Sequence, residues 1–439
     1  MGERESDSKN NKNSNSEIKE IVTREEAIRR IVGFLSLPPR QRALRALGID
    51  LPPSLSLGEN IQHSWRGRVM DYLDRYPSCL GPISEGWVSD EWERGFSLNS
   101  EGGPFNLPPE MFLGVACGPA RGKRVGGDIA MIRVIDDPPN AGLAFLIADC
   151  ITPVVPIPSG LANLKEEIER RVSLIRGGPK EIGADELLAL LLYTLPISNY
   201  LGEPDALEKI NSALGELLAA IGSPPTPENS YQFPGLVAIA GKVERDTRTL
   251  ILQGVGDVRV ALMGADGSFI LSPDSFAQGR KIDDTTVALM YLAWEKAGRK
   301  GSWWDYRNDE LVRKWLEITY RNKYREGVVT AINGLPDSLR CWRLEYPLVS
   351  LAGIGVFTDG LLYTTPPSER NERLFSFFRA VKGFGLRHHV RPEPQDPTKN
   401  EYSEIPHPRR EKPEDDLACL FVVCRRADFV KRILSFWRL

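Results

Sequence analysis

Apolar positions change their spacing several times along the chain. Between Arg24 and Leu47, Ala27, Ile28, Ile31, Val32 and Leu35 recur every three or four residues, which predicts an amphipathic helix. The stretches PPRQ and LPPSLSLG interrupt that pattern. From Met111 the pattern shortens. MFLGVAC, IAMIRVI and AGLAFLIAD are brief apolar runs separated by turn residues, so they predict three strands, with DDPPNAG joining the last two as a hairpin. Helical spacing returns at 161–176, 184–193 and 205–221, where Pro179, Pro196 and Pro204 act as breakers.

A second strand block follows. GLVAIAGKV, TLILQGV, VRVALMG and SFILS predict antiparallel strands, with turns at Glu244–Thr247 and at ADG, 265–267. Residues 285–326 predict an inserted helical flap carrying Trp294, Trp303, Trp304 and Trp315, most simply the core of a small subdomain. GIGVFTDGLL predicts a buried strand ending in an Asp-Gly turn. A helix is expected at about 367–382, a long Pro-, Arg- and His-rich loop at 383–413, a last core strand at LACLFVVC, and then a basic amphipathic tail. Strands, helices, strands, helices and a final strand predict an α+β fold: a four-layer α-β-β-α sandwich of two stacked antiparallel sheets flanked by helices. The expected organisation is a disordered tail at 1–20, a partly helical extension at 21–110 with Trp65, Trp87 and Trp92, and a main domain at 111–439.

Composition narrows the function classes. The 439 residues are 41% hydrophobic and 26% charged, enough for a sizeable core. A net charge of −3 argues against nucleic acid as the main partner. No apolar run reaches membrane-spanning length and the polar N-terminus carries no secretory h-region, so the expectation is a cytoplasmic protein without a membrane partner. The six cysteines form no C-x-x-C pair and read as reduced thiols. Cys419 and Cys424, five apart on one strand, should face opposite sides. The adjacent His388 and His389 read as solvated loop residues, and Asp283 or Asp284 as a helix cap. Neither a G-x-S-x-G elbow nor a phosphate loop occurs.

Four aspartates stand at strand ends. Asp128 opens a strand, Asp149 ends AFLIAD, Asp359 ends GVFTDG and Asp415 opens DDLACLFVV. Singly, each is the ordinary residue of a turn. As an ordered set they could converge at one edge of stacked sheets and offer the oxygen ligands that Mg²⁺ or Mn²⁺ requires.

That set resembles the metal-dependent protein phosphatases of type 2C, the PPM family. GGDIAMIRV and GLAFLIAD are similar to the first two Asp motifs. VGDVRVALMGADGSFILS is similar to the Gly-Asp-Ser-Arg strand and its successor, and VVTAINGLPDSLRCWRLEYPL to the Val-Thr-Arg-Ala-Leu-Gly segment. GVFTDGLL is similar to the Ser/Thr-Asp-Gly-Leu motif and DDLACLFVV to the closing Asp-Asn strand. The resemblance implies that Asp149 bridges two divalent metals, that the carbonyl of Cys150 binds one and that Asp359 and Asp415 ligate the other. It implies that Asp128 holds metal-bound water and that Asp257 helps with a possible third metal. Arg121, Lys123 or Arg124 would then supply the phosphate-binding cation. The implied activity is in-line hydrolysis of a phosphoserine or phosphothreonine protein substrate by a metal-bridging water.

The chain departs from the family pattern at several of these places. The second motif reads DCITPVVPIPSG, the Asn after the last Asp is Asp416, the Ser of Gly-Asp-Ser-Arg is Val258, and Gly127 precedes the first Asp. These departures keep a second reading open, a catalytically weak or inactive phosphatase-like binding or regulatory module. The oligomeric state is left open.

Overall fold

The computed structural model describes residues 22–49, 67–69, 96–101, 105–118, 125–151, 155–175, 181–264, 267–272, 277–301, 303–325, 331–336, 339–362, 367–382 and 415–424, with single positions at 71, 75, 153 and 365. The 1–20 tail, the 383–413 loop, the three tryptophans of the extension, His388, His389 and the basic tail lie outside the described residues.

Eleven strands of the described residues build two antiparallel sheets. The first contains β1 (Phe96–Glu101), β2 (Met111–Gly118), β7 (Arg259–Gly264), β8 (Phe269–Leu271), β10 (Leu351–Phe357) and β11 (Leu417–Cys424), in the order β1-β2-β11-β10-β7-β8. The second contains β3 (Ile129–Ile135), β4 (Gly142–Ile151), β5 (Gly235–Glu244), β6 (Thr249–Val255) and β9 (Trp342–Pro347), in the order β3-β4-β5-β6-β9.

Side-chain alternation turns these sheets into layers. On β11, Ala418, Leu420, Val422 and Cys424 enter the core between the sheets. Leu417, Cys419, Phe421 and Val423 enter another core, beneath helix α8 (Arg370–Lys382). Cys419 and Cys424 therefore face opposite sides, as their spacing predicts. On β4, Leu143, Phe145 and Ile147 face the first sheet. Ala144, Leu146, Ala148 and Cys150 face the outer helical layer. That layer consists of α1 (Arg24–Leu35), α3 (Ser159–Val172), α4 (Ala184–Leu192) and α5 (Ala206–Ala220). Three cores separated by two sheets define a four-layer α-β-β-α sandwich of the α+β class.

The N-terminal extension shares these cores. Thr23 caps α1, its hydroxyl accepting from Glu26 N at 3.3 Å. Ala27, Ile28, Ile31, Phe34 and Leu35 then pack into the helical-layer core, while β1 lengthens the first sheet at its edge. Helix α2 (Pro39–Ala46) leads to Leu47, whose carbonyl accepts from Ile132 N at 2.8 Å and so covers the outer edge of β3.

The inserted flap begins earlier than its sequence pattern suggests. Helix α6 (Ala277–Lys296) starts upstream of 285, so Asp283 and Asp284 lie within its second turn and neither caps it. With a turn at Trp303–Asn308 and helix α7 (Glu310–Arg325), it encloses a small core of Met290, Trp303, Val312 and Leu316, against which Trp294 and Trp315 pack. Among the described residues, no helix is long and apolar enough to cross a membrane.

Candidate metal centre

Strand direction gathers the aspartates at one end of the sandwich. Ile129 pairs with Ala148, so Asp128 and Asp149 stand opposite each other one step beyond that pair. In the other sheet Phe357 pairs with Cys419, and the ladder closes where Thr358 N donates to Ala418 O at 3.0 Å. Asp359 follows at once, in the short helical turn Asp359–Leu361, and Asp415 and Asp416 immediately precede β11. Asp257 lies on the short link by which the chain leaves β6 in one sheet for β7 in the other.

The Asp-Gly turn has a steric reason. A Cβ at Gly360 would stand 1.9 Å from the carbonyl oxygen of Asp416. Only glycine permits this backbone approach, which brings Asp359 and Asp415 to the same rim.

Hydrogen bonds tie the two sheet ends together. The buried Thr358 hydroxyl donates to Asp128 Oδ2 at 2.6 Å and accepts from Ala418 N at 3.0 Å. Asp416 Oδ2 accepts from Gly127 N at 2.8 Å, and Asp415 Oδ1 from Asp416 N at 3.0 Å. Asp185, in the first turn of α4, flanks the same Gly127.

Electrostatics report the same convergence. Burial raises the Asp128 carboxyl well above the usual range; Asp416 raises it further, Thr358 works against this, and Asp415 and Asp359 add to it. Burial also raises Asp149, followed by the charges of Asp128, Asp359, Asp257 and Asp415. Six aspartates from distant parts of the sequence are thus linked, and the largest charge effects on Asp149 all come from carboxylates.

Cys150 points elsewhere. Its side chain packs with the helical layer, on the face of β4 opposite to Asp149, and burial pushes its thiol up. The thiol is therefore neutral, and any contribution of this residue to the rim would come from its backbone. Arg121, Lys123 and Arg124 lie outside the described residues.

No protein-family model matches the chain. No curated protein matches it either. Solved structures do match. RsbX in complex with magnesium is 13% identical, with a TM-score of 0.32 over 72% of this chain and 95% of that one. The S. agalactiae serine/threonine phosphatase is 12% identical, with a TM-score of 0.33 over 72% and 99%. Serine/threonine phosphatase Stp1 from Staphylococcus aureus is 11% identical, with a TM-score of 0.34 over 72% and 96%. The chain is similar to serine/threonine phosphatases. Likeness this distant says nothing of activity, and the architecture rests on the strand registers.

An all-oxygen donor set rich in aspartate has the chemistry that a hard divalent cation takes, and the mutual repulsion of its carboxylates is what such a cation relieves. Among the described residues, however, no three His, Cys, Asp or Glu side chains form a group arranged to hold a metal ion. Thr358, Asp185 and Asp416 are the rim residues that strand-end reasoning did not single out for a role. The Thr preceding Asp359 in the FTDG turn was a usable signal for the first of them. Asp185, on an ordinary helix start, left none.

Proposed function

We propose that the chain is a divalent-metal-dependent phosphoprotein phosphatase acting on phosphoserine or phosphothreonine. The observation that supports this reading is the position of Asp128 and Asp149 at the end of one sheet that Thr358 and Asp416 tie to the end of the other, beside Asp359 and Asp415, with Asp257 on the link between the sheets. In this reading Asp149, Asp359 and Asp415 would hold two Mg²⁺ or Mn²⁺ ions, and Asp257 would help to hold a third. Such ions supply Lewis acidity and a water of lowered pKa. Asp128, steadied by Thr358, orients water through its carboxylate. Arg121, Lys123 or Arg124 meets the charge of the phosphoryl oxygens.

A second reading, a phosphatase-like binding or regulatory module of weak or no activity, is favoured by the lack of a grouped ligand triad among the described residues and by the Cβ that Cys150 introduces. The two separate in a single assay. Hydrolysis of an aryl phosphate with Mn²⁺, abolished by a chelator and by Asp149→Asn, supports the enzyme. Metal binding without turnover supports the module. Absence of both overturns the metal centre itself.

A further inference from the structure

The two edges of the five-stranded sheet are treated differently. The β3 edge is closed by Leu47, through the hydrogen bond from Ile132 N. The β9 edge pairs with β6 on one side, and among the described residues no backbone hydrogen bond joins its outer side to another segment. An edge strand left in that condition is a template for a further strand.

The sequence of β9, WRLEYP, is self-complementary in a way that fits one occupant. We propose that β9 pairs antiparallel with β9 of a second copy of this chain, about a two-fold axis through Leu344. That register sets Leu344 against Leu344, Trp342 against Tyr346 and Arg343 against Glu345, the last two pairs occurring twice by symmetry.

Each face of the strand supports the pairing. Trp342, Leu344 and Tyr346 share the face toward the core between the sheets, where Trp342 and Tyr346 pack against it. Leu344 stands between them with 37% of its surface exposed, so the apolar face continues to the open edge. Its own copy across the axis would cover it. On the opposite face Arg343 and Glu345 are both exposed, and Arg343 makes a 3.5 Å contact with Glu208 of α5. Charges on an edge strand ordinarily deter pairing. Here they alternate in sign about the proposed axis, so the antiparallel dimer converts each into an attraction, whereas a slipped register opposes like charges or sets a charge against Leu344. Val349, just beyond the strand and 74% exposed, adds apolar surface beside the same edge. A six-residue strand is a small interface, so dimerisation should depend on concentration.

Sedimentation equilibrium of the full chain over a wide concentration range tests this. The wild type should pass from monomer to dimer. Glu345→Arg, at an exposed position, should leave the melting temperature unchanged yet weaken dimerisation by roughly tenfold or more, because both charge pairs become repulsive. The double substitution Arg343→Glu with Glu345→Arg restores opposite charges and should restore the dimer. Leu344→Glu should abolish it. A wild type that stays monomeric throughout overturns the proposal. So does a Glu345→Arg protein that dimerises like the wild type, or a charge swap that fails to rescue.

Discussion

The Thr358 hydroxyl reaches Asp128 Oδ2 at 2.6 Å across 230 positions of sequence, joining the end of β10 in one sheet to the start of β3 in the other. The Thr358 hydroxyl oxygen also accepts from Ala418 N at 3.0 Å, so one buried side chain satisfies two groups that burial would otherwise leave orphaned. Thr358→Val keeps the shape and removes both bonds. It should destabilise the fold by about 1–3 kcal/mol in urea denaturation. Thr358→Ser, which keeps the hydroxyl, should recover most of that loss.

Carboxylates that raise one another's pKa repel when ionised. Without metal, Asp149→Asn should therefore raise the melting temperature, because burial and the charges of its neighbours penalise the ionised carboxylate in the folded state. Asp359→Asn should act in the same direction. Both should shrink the rise in melting temperature that millimolar Mn²⁺ produces in the wild type by mass action. Asp283→Asn, in the second turn of α6, should change neither quantity. An unaltered melting temperature with Mn²⁺ would remove the metal reading.

The link between sheets at Gly256 is conformationally demanding. Its φ is +83°, and a Cβ there would stand 2.0 Å from Val237 Cγ1. Gly256→Ala should cost about 1–3 kcal/mol, measured by thermal unfolding, through both backbone strain and overpacking. It should also disturb Asp257 next to it, and so reduce the metal response more than a stability loss alone would.

Helix α1 belongs to the core, whereas the sequence of residues 1–20 is almost wholly polar. Removing residues 1–20 should leave the melting temperature unchanged. Removal through Leu35 strips Ala27, Ile28, Ile31, Phe34 and Leu35 from the helical-layer core, at about 1.5–3 kcal/mol for each large side chain. Loss of the cooperative transition, or aggregation on size-exclusion chromatography, is the expected result.

The buried thiols should be inert. Burial pushes Cys419 up to about 12 and raises Cys150, so neither presents thiolate at neutral pH. Alkylation of the native protein followed by peptide mass spectrometry should leave both unmodified, and unfolding in guanidinium should expose them.

Local pattern sufficed wherever a residue's state depends on its near neighbours. The period of two in LACLFVVC dictates that Cys419 and Cys424 face opposite sides, and the strand–turn signals around DDPPNAG yield the β3–β4 hairpin. The ordered runs were likewise enough for an α+β sandwich. Strand β9 escaped notice although WRLEYP alternates apolar and polar residues: the run is short and Pro-terminated, its partner β6 and the sheet interior give it strand conformation, and its exposed pattern follows from lying at an edge. Asp283 was misplaced because a cap is a property of where a helix starts, and α6 starts at Ala277 upstream of the apolar stripe. Sequence alone marked Asp128, Asp149, Asp359 and Asp415 as strand-end carboxylates. Only the tertiary structure could decide that they meet, because strand register and sheet stacking put residues hundreds of positions apart at one rim. The same stacking adds Asp185 and Asp416 to the group, while strand alternation sends the Cys150 thiol to the face of β4 opposite Asp149.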